Sequence, residues 1–125
     1  MIFGTGVDIA KIDRFDVIYK KYQLRFLCKI LSEYELSHFD QVRDPARYLA
    51  MRFAAKEATS KALGTGFKQG IYPSLISVEH AASGKPSLRV SGKVSELFDR
   101  FKIKQSHISL SDDGGFAFAS VILET

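Results

Sequence analysis

A loose alternation of apolar and polar residues opens the chain. Residues 2–9 are apolar at four positions, which predicts a short strand that ends at Asp8. Gly4 and Gly6 interrupt this strand, which indicates a bend or a close approach of another backbone. The apolar spacing then becomes helical, from Asp13 to about Tyr22 and again in a second piece that holds Phe26, Leu27, Ile30 and Leu31.

Two later helices begin with recognisable capping residues. Ser32 is followed three residues later by Glu35, which predicts a capping box at the start of a helix. Asp44-Pro45 opens a longer helix, because proline suits the first helical turn. We expect this helix to run to about Leu63 and to end at Gly64.

The pattern changes to a period of two in the second half of the chain. Residues 75–80 and 87–91 are predicted strands around the turn at 83–86. An amphipathic helix over 93–102 follows, and residues 106–111 and 116–123 form a predicted hairpin across Asp113-Gly114-Gly115. The whole order predicts one α+β domain over residues 1–125, in which a small antiparallel sheet packs on a long central helix.

Composition excludes several classes of protein. The 125 residues are 46% hydrophobic and 26% charged, as in soluble globular domains. The single cysteine, Cys28, excludes a disulfide scaffold and fits a reducing compartment. No apolar run reaches the roughly 18 residues that suggest a membrane span. The N-terminal MIFGTGVDIA lacks a basic flank and meets Asp8 early, so we expect mature structure in a cytoplasmic protein rather than a signal peptide.

The net charge of +4 is concentrated in one segment. Between Lys11 and Lys29, only Asp13 and Asp16 oppose the basic residues, and the rest of the chain balances to zero. Such a patch attracts an acidic partner, which could be nucleic acid, an acidic protein or a phosphorylated small molecule. A solvated helix face is the alternative without a partner. The basic residues of the segment are Lys11, Arg14, Lys20, Lys21, Arg25 and Lys29.

The predicted central helix carries charges although apolar residues cover most of its circumference, which indicates a largely buried helix. At about 100° per residue the charges fall in two wedges, Arg52 with Lys56 and Glu57 with Lys61. Glu57 and Lys61 have the spacing of a structural ion pair. They also suit a site for magnesium and phosphate, because magnesium is held by one or two carboxylates plus substrate phosphates and lysine binds phosphate as a point charge.

Two further features allow a plain structural interpretation. Gly64-Thr65-Gly66 suggests a phosphate loop, but it lacks Walker spacing and follows a helix C-terminus, whose dipole repels anions. A capping glycine followed by a turn explains this loop more simply. His107 shares the polar face of its predicted strand with Ser109 and Ser111, as an exposed strand residue does.

Four segments form a pattern that spans nearly the whole chain: IFGTGVDIAKIDRF, ILSEYEL, RFAAKEATSKALGTGF and HISLSDDGGFAFASVILE. The third segment is the most specific, because a Lys-Glu pair, a lysine four residues after the glutamate and a Gly-Thr-Gly ending occur together. These segments resemble the holo-acyl carrier protein synthases, the small class of phosphopantetheinyl transferases. The resemblance implies the phosphopantetheinyl transferase fold, and it favours the metal and phosphate role for Glu57 and Lys61 over the ion pair.

The resemblance also implies a reaction. The phosphopantetheine arm of coenzyme A would pass to a serine of apo-acyl carrier protein with the help of magnesium, releasing adenosine 3',5'-bisphosphate in support of fatty acid biosynthesis. Asp8 and Glu57 match the magnesium ligands, and Lys61 matches the lysine beside the transferring phosphate. Phosphoryl transfer depends mainly on positioning and charge neutralisation, which the metal and the lysine would supply. Glu57, or a metal-bound water next to it, is the candidate base, while Lys61 would stabilise or protonate the leaving phosphate.

Other residues match further parts of the family pattern. Arg52 and His107 match positions near the nucleotide end of coenzyme A, and the segment Gly64, Thr65 and Gly66 resembles the lining of its cleft. Glu35 matches a family glutamate, and its role beyond the capping box stays open. Asp112 stands where many relatives have a histidine.

The basic segment gains a candidate partner from the resemblance. Acyl carrier proteins are acidic, so Arg14, Lys20, Lys21 and Arg25 are expected to attract and orient one, chiefly by raising the association rate. The resemblance further implies a homotrimer with active sites between subunits. Two other functions stay open: a nucleic-acid-binding module, which would lose affinity steeply with salt, and a relative that binds coenzyme A without turning it over. No recognisable group of stacking aromatic residues lies near the basic segment, which argues against nucleic acid.

Overall fold

The computed structural model describes residues 1–125 and confirms the predicted α+β class, with antiparallel strands arranged around a long central helix. The helices are α1 (Ile12–Tyr22), α2 (Leu24–Ile30), α3 (Glu33–His38), α4 (Pro45–Leu63) and α5 (Gly92–Arg100). The strands are β1 (Ile2–Lys11), β2 (Ile76–His80), β3 (Pro86–Val90), β4 (Gln105–Asp113) and β5 (Phe116–Glu124). One sheet has the strand order β1-β5-β4, and β2 pairs with β3 in a second sheet. Every helix is too short or too polar to cross a membrane.

Helix α4 forms the centre of the core. Twelve of its 19 residues are buried, as the apolar residues around its circumference predict. At its start, the Asp44 carboxylate accepts a hydrogen bond from the backbone N–H of Arg47 at 3.2 Å. At its end, Gly64 adopts a left-handed conformation with φ of 82°. Both predicted ends of this helix are confirmed.

Strand β1 lies directly against α4, and two glycines make this contact possible. A Cβ atom at Gly4 would lie 2.0 Å from the carbonyl oxygen of Ala62, and one at Gly6 would lie 1.8 Å from that of Ala58. Any side chain at these positions would push the strand away from the helix. The predicted close approach is therefore confirmed, and it brings Asp8 next to α4.

Several strand ends differ from the prediction. Strand β1 continues past Asp8, because its backbone keeps pairing with β5 until Lys11 meets Phe116. Leu75, predicted to begin a strand, instead belongs to a short 3-10 turn before β2. The hairpin of β4 and β5 is longer than predicted, since pairing reaches Asp113 and Phe116 on either side of the turn.

Candidate functional site

Strand β1 and the second half of α4 bring charged side chains together at the surface. The Lys61 Nζ donates to the Asp8 Oδ1 at 3.0 Å and to the carbonyl oxygen of Val7 at 3.0 Å. The side chains of Lys61 and Asp8 are 51% and 16% exposed. The ion pair that the spacing of Glu57 and Lys61 allows is not formed, because Lys61 reaches across to β1 instead.

Glu57 lies one helical turn before Lys61 and is partly buried. Burial raises the pKa of Glu57 above its usual value, and the negative charge of Asp8 raises it further. The positive charges of Lys61 and Arg14 act in the opposite direction on that pKa. Asp8 and Glu57 are thus close enough to repel each other when both are ionised.

These two carboxylates fit a magnesium site that is completed by a substrate. No group of three or more His, Cys, Asp or Glu side chains in the chain could hold a metal ion. Magnesium takes oxygen ligands, keeps several waters and is usually bound by one or two carboxylates plus substrate phosphates. Asp8 and Glu57 match that donor set, whereas a closed structural metal site would need more protein ligands.

Lys56, in the other charged wedge of α4, has a structural role. Lys56 is fully buried, and its Nζ donates to the Glu35 Oε1 at 2.6 Å. The same Nζ donates to the carbonyl oxygens of Ile76 at 2.7 Å and Pro73 at 3.1 Å. Burial lowers the pKa of Lys56, and the neighbouring Glu35 charge opposes that shift. Every donor direction of this ammonium therefore has an acceptor inside the protein.

Glu35 links helix α3 to the core. Its Oε1 accepts from the backbone N–H of Ser32 at 2.9 Å, and its Oε2 accepts from that of Val78 at 2.9 Å. The Ser32 Oγ accepts from the Glu35 backbone N–H, so the predicted capping box is confirmed. Sequence reasoning left open the further role that the structure gives Glu35. A lysine on the apolar surface of α4 was the available signal, since a buried charge needs a partner.

Arg52 lies in a separate cleft of about 290 Å³. Its guanidinium lies over the Tyr48 ring at 4.0 Å, and its Nη2 donates to the His80 Nδ1 at 3.2 Å. Burial and the Arg52 charge lower the pKa of His80, which favours the neutral imidazole that accepts this bond. The Arg52 Nε is buried and lies 3.8 Å from the Glu35 Oε2, too far for a hydrogen bond. Sequence reasoning missed His80, because 28 residues separate it from Arg52.

His107 and Arg52 line adjoining clefts but do not share one. The His107 Nε2 lies 2.5 Å from the Glu124 Oε1, and the His107 side chain is 53% exposed. The cleft beside His107 shares Pro86 and Ile108 with the Arg52 cleft. The polar outer face predicted for His107 is therefore confirmed.

Asp112 forms an ion pair with Arg47, another residue of the Arg52 cleft. The Arg47 Nη2 donates to the Asp112 Oδ1 at 2.8 Å. This hydrogen bond lowers the pKa of the Asp112 carboxyl. At position 112 this chain thus has a carboxylate that holds an arginine.

The loop after α4 is a helix cap. The backbone N–H groups of Gly64, Thr65 and Gly66 all lie within 3.3 Å of the Ser60 carbonyl oxygen. These donors face the helix end, so they do not form the outward nest of a phosphate loop. Any contribution of this loop to ligand binding therefore depends on its shape and on the Thr65 side chain.

The basic segment on α1 and α2 encloses an apolar cleft. Lys20 pairs with Asp16 at 3.0 Å, and the Arg14 guanidinium lies 5.1 Å from the centre of the Phe15 ring. Lys21 and Arg25 are exposed. A cleft of about 330 Å³ between these helices is lined by Ile18, Tyr22, Arg25, Phe26 and Lys29. Sequence reasoning identified the charges but missed this cleft.

The chain matches proteins of one family over its whole length. A family model of the 4'-phosphopantetheinyl transferase superfamily matches residues 4–119. A holo-[acyl-carrier-protein] synthase of Vibrio cholerae is 44% identical over 124 residues, which cover 99% of this chain and 98% of that protein. The crystal structure of the Neisseria meningitidis synthase matches with a TM-score of 0.94 at 37% identity, with both chains covered completely.

A second solved structure contains a ligand. The Helicobacter pylori holo-[acyl-carrier-protein] synthase in complex with coenzyme A matches with a TM-score of 0.84 at 32% identity, covering 96% of this chain and 99% of that one. The family resemblance predicted from the sequence is thus confirmed. The chain belongs to the 4'-phosphopantetheinyl transferase superfamily and is an enzyme of the holo-[acyl-carrier-protein] synthase type.

Proposed function

We propose that the chain transfers the 4'-phosphopantetheine group of coenzyme A to a serine of apo-acyl carrier protein in a magnesium-dependent reaction. The proposal rests mainly on the contact of Lys61 with Asp8, which lies beside Glu57 where β1 meets α4. Coenzyme A in the Helicobacter pylori relative supports this donor. Residues 1–125 act as a single transferase domain, which supplies holo-carrier for fatty acid biosynthesis in the cytoplasm.

Asp8 and Glu57 would hold the magnesium ion. When bound, the ion neutralises negative charge on the pyrophosphate of coenzyme A as the phosphoryl group transfers. Asp8 is oriented by its contact with Lys61, and Glu57 is fixed by a helix whose other faces are buried. Both ligands therefore depend on the packing of β1 against α4.

The remaining chemistry falls to Glu57 and Lys61. The serine oxygen forms a new bond to the β-phosphorus of coenzyme A, the bond from that phosphorus to the bridging oxygen breaks, and adenosine 3',5'-bisphosphate leaves. Glu57, or a water next to it, would accept the serine proton, because a carboxylate placed beside the attacking hydroxyl can act as a general base. Lys61 carries three N–H donors, so it could bind the leaving phosphate while it keeps a contact with β1.

The nucleotide end of coenzyme A would lie against Arg52, His107 and the loop Gly64 to Gly66. Arg52 supports this assignment, because its guanidinium lines the cleft and a guanidinium binds phosphate oxygens through paired hydrogen bonds. Arg47 adds positive charge to the same cleft. His107 lines the adjoining cleft, which shares Pro86 and Ile108 with that of Arg52.

Apo-acyl carrier protein would dock on the basic segment through Arg14, Lys20, Lys21 and Arg25. The apolar cleft between α1 and α2 would add a hydrophobic contact to the charge attraction. Arg14 connects the two surfaces, because its charge already acts on the carboxyl of Glu57. A docked carrier would therefore present its serine close to the proposed base.

We further propose a homotrimer with active sites between subunits. The outer face of the three-stranded sheet exposes Val7 and Ile9 on β1 and Phe116 and Phe118 on β5. The strand register places Ile9 opposite Phe118, so these side chains form one apolar surface. Monomeric soluble proteins rarely expose such a surface, and one that adjoins Asp8 would bring a neighbouring subunit next to the site.

A transfer assay tests the proposed reaction. Purified protein with magnesium, coenzyme A and apo-acyl carrier protein is expected to raise the carrier's mass by one phosphopantetheine group, as measured by mass spectrometry. Glu57→Gln should lower the rate by about 100-fold or more, whereas Glu96→Gln, an exposed residue on α5, should match the unchanged protein. An unmodified carrier mass would refute the function, and equal rates for both variants would remove Glu57 from the mechanism.

A further inference from the structure

A further cleft lies between α5 and the loop that follows α4. Its volume is about 270 Å³, near the lower end for small-molecule sites. Ile71, Leu97 and Phe101 form its apolar part. Its polar lining consists of Thr65, Lys68, Gln69, Lys93 and Arg100. It shares Thr65 with the loop assigned above to coenzyme A, but no residue assigned to magnesium or phosphoryl transfer lines it.

The positive charges of this cleft have no carboxylate partner. Lys68, Lys93 and Arg100 form no ion pair within 4.0 Å. Glu96 and Asp99 are exposed on the same helix but do not line the cleft. Three unneutralised cations around one concave surface attract anions and lower the cost of bringing one out of water.

Two features of the loop indicate a place for a ligand. The Thr65 Oγ1 is buried without a hydrogen-bond partner, although buried hydroxyls are nearly always satisfied. Gln69 has a φ of 54°, a left-handed conformation that is uncommon for residues other than glycine and that often occurs at ligand contacts. Both residues line the cleft together with the three cations.

We propose that this cleft binds a small molecule with an oxyanion group on a short apolar chain. The oxyanion would pair with Lys93 and Arg100 and accept a hydrogen bond from the Thr65 hydroxyl. The apolar chain would pack on Ile71 and Leu97. Because Thr65 follows directly after the helix that carries Glu57 and Lys61, an occupant would touch the loop that borders the proposed transferase site.

Calorimetric titration of the full chain tests this site. The probes are octyl phosphate, octanoate and inorganic phosphate below any micelle-forming concentration, with coenzyme A and magnesium present at saturation throughout. We expect at least one amphiphile to bind, and inorganic phosphate to bind more weakly by about tenfold or more for lack of apolar contact. The stronger amphiphile then identifies whether the site prefers a phosphate or a carboxylate.

Matched variants locate the binding. Lys93→Ala and Arg100→Ala should each weaken the amphiphile by about fivefold or more, whereas Lys104→Ala removes an exposed lysine outside the cleft and should not. All three variants should keep the KM for coenzyme A in the transfer assay. Absence of amphiphile binding in the presence of saturating coenzyme A, or equal effects of the three variants, would each overturn the proposal, while the proposed transferase function would stand.

Discussion

Neighbouring residues of α4 carry opposite charges into different surroundings. Lys56 is enclosed in the core by Glu35 and backbone carbonyls, whereas Glu57 faces Asp8 near the surface. One step along a helix turns the side chain by about 100°, which is enough to separate the two environments. Of these two adjacent residues, Lys56 stabilises the fold and Glu57 is the proposed base of the reaction.

Loss of the buried ammonium should destabilise the protein strongly. Lys56→Met is expected to lower the free energy of unfolding by about 3–5 kcal/mol, because the Glu35 carboxylate is left buried without its partner. Urea unfolding followed by circular dichroism measures the loss. Lys104→Met is the matched control on the surface. A double variant, Lys56→Met with Glu35→Gln, should recover part of the loss, and a loss below about 1 kcal/mol in the single variant would contradict the explanation.

Removal of the divalent ion should affect stability through Asp8 and Glu57. Magnesium is expected to raise the melting temperature, because it binds the folded chain and relieves the repulsion between the two carboxylates. The increase should be lost in Asp8→Asn and in Glu57→Gln but kept in Asp99→Asn, an exposed residue of α5. Differential scanning fluorimetry with magnesium and with a chelator measures this. An equal increase in all four proteins would mean that the ion binds elsewhere.

At the scale of elements, the ends of α4 and the start of α3 could be predicted because each has a local signal. Asp44, Gly64 and the capping box need no information from distant residues. The partner of Lys56 could not be predicted, since 21 residues separate it from Glu35. Lys61 and Asp8 are 53 residues apart in the sequence. Only the packing of β1 on α4 makes Lys61 pair with Asp8 rather than with Glu57, its neighbour on the same helix.

The contact between β1 and α4 can be tested at Gly6. Gly6→Ala is expected to lower the free energy of unfolding by about 1–3 kcal/mol, because the new methyl group would overlap the Ala58 carbonyl oxygen. The transfer rate should fall more than stability alone explains, since Asp8 moves relative to Glu57. Thr5→Ala, on the exposed side of the strand, is the control. Chemical unfolding and the mass-shift assay, compared on the same samples, separate the two effects.

At the scale of the molecule, the proposed partner surfaces differ in chemistry. The surface of α1 and α2 is basic around an apolar cleft, whereas the outer faces of β1 and β5 carry an apolar patch formed by Val7, Ile9, Phe116 and Phe118. The charge of the first surface could be predicted by counting residues. The apolar surface could not be predicted in this way, because Ile9 and Phe118 become neighbours only through the register of β1 and β5.

Charge reversal on the basic surface should weaken carrier binding selectively. Arg25→Glu is expected to raise the KM for apo-acyl carrier protein by about tenfold at low salt and to leave the KM for coenzyme A unchanged. The difference from the unchanged protein should shrink as salt is added, because screening weakens exposed charges. Lys104→Glu provides the same charge change outside the segment. Steady-state kinetics at two salt concentrations decide the matter, and equal effects of both reversals would refute a localised docking surface.

The apolar sheet face predicts an assembly. Phe118→Ser should convert the proposed trimer to monomer and lower transfer activity, because Phe118 is 41% exposed in the single chain and belongs to the proposed interface. Light scattering after gel filtration measures the mass. The exposed Phe116 lies at the end of β5, so Phe116→Ser should have a smaller effect. A monomeric unchanged protein would refute the trimer.

The enclosure of Lys56 also makes it a natural reporter of opening. An amine-reactive reagent reaches exposed lysines such as Lys104 in the native protein, whereas the Lys56 nitrogen has no accessible surface. Acylation of Lys56 therefore requires its hydrogen bonds to the Glu35 carboxylate and to the Ile76 carbonyl oxygen to break. These bonds connect α4 to α3 and β2, so the reaction reports the separation of these elements. The rate at which Lys56 is acylated, followed by peptide mass mapping, would measure the rate at which the core opens.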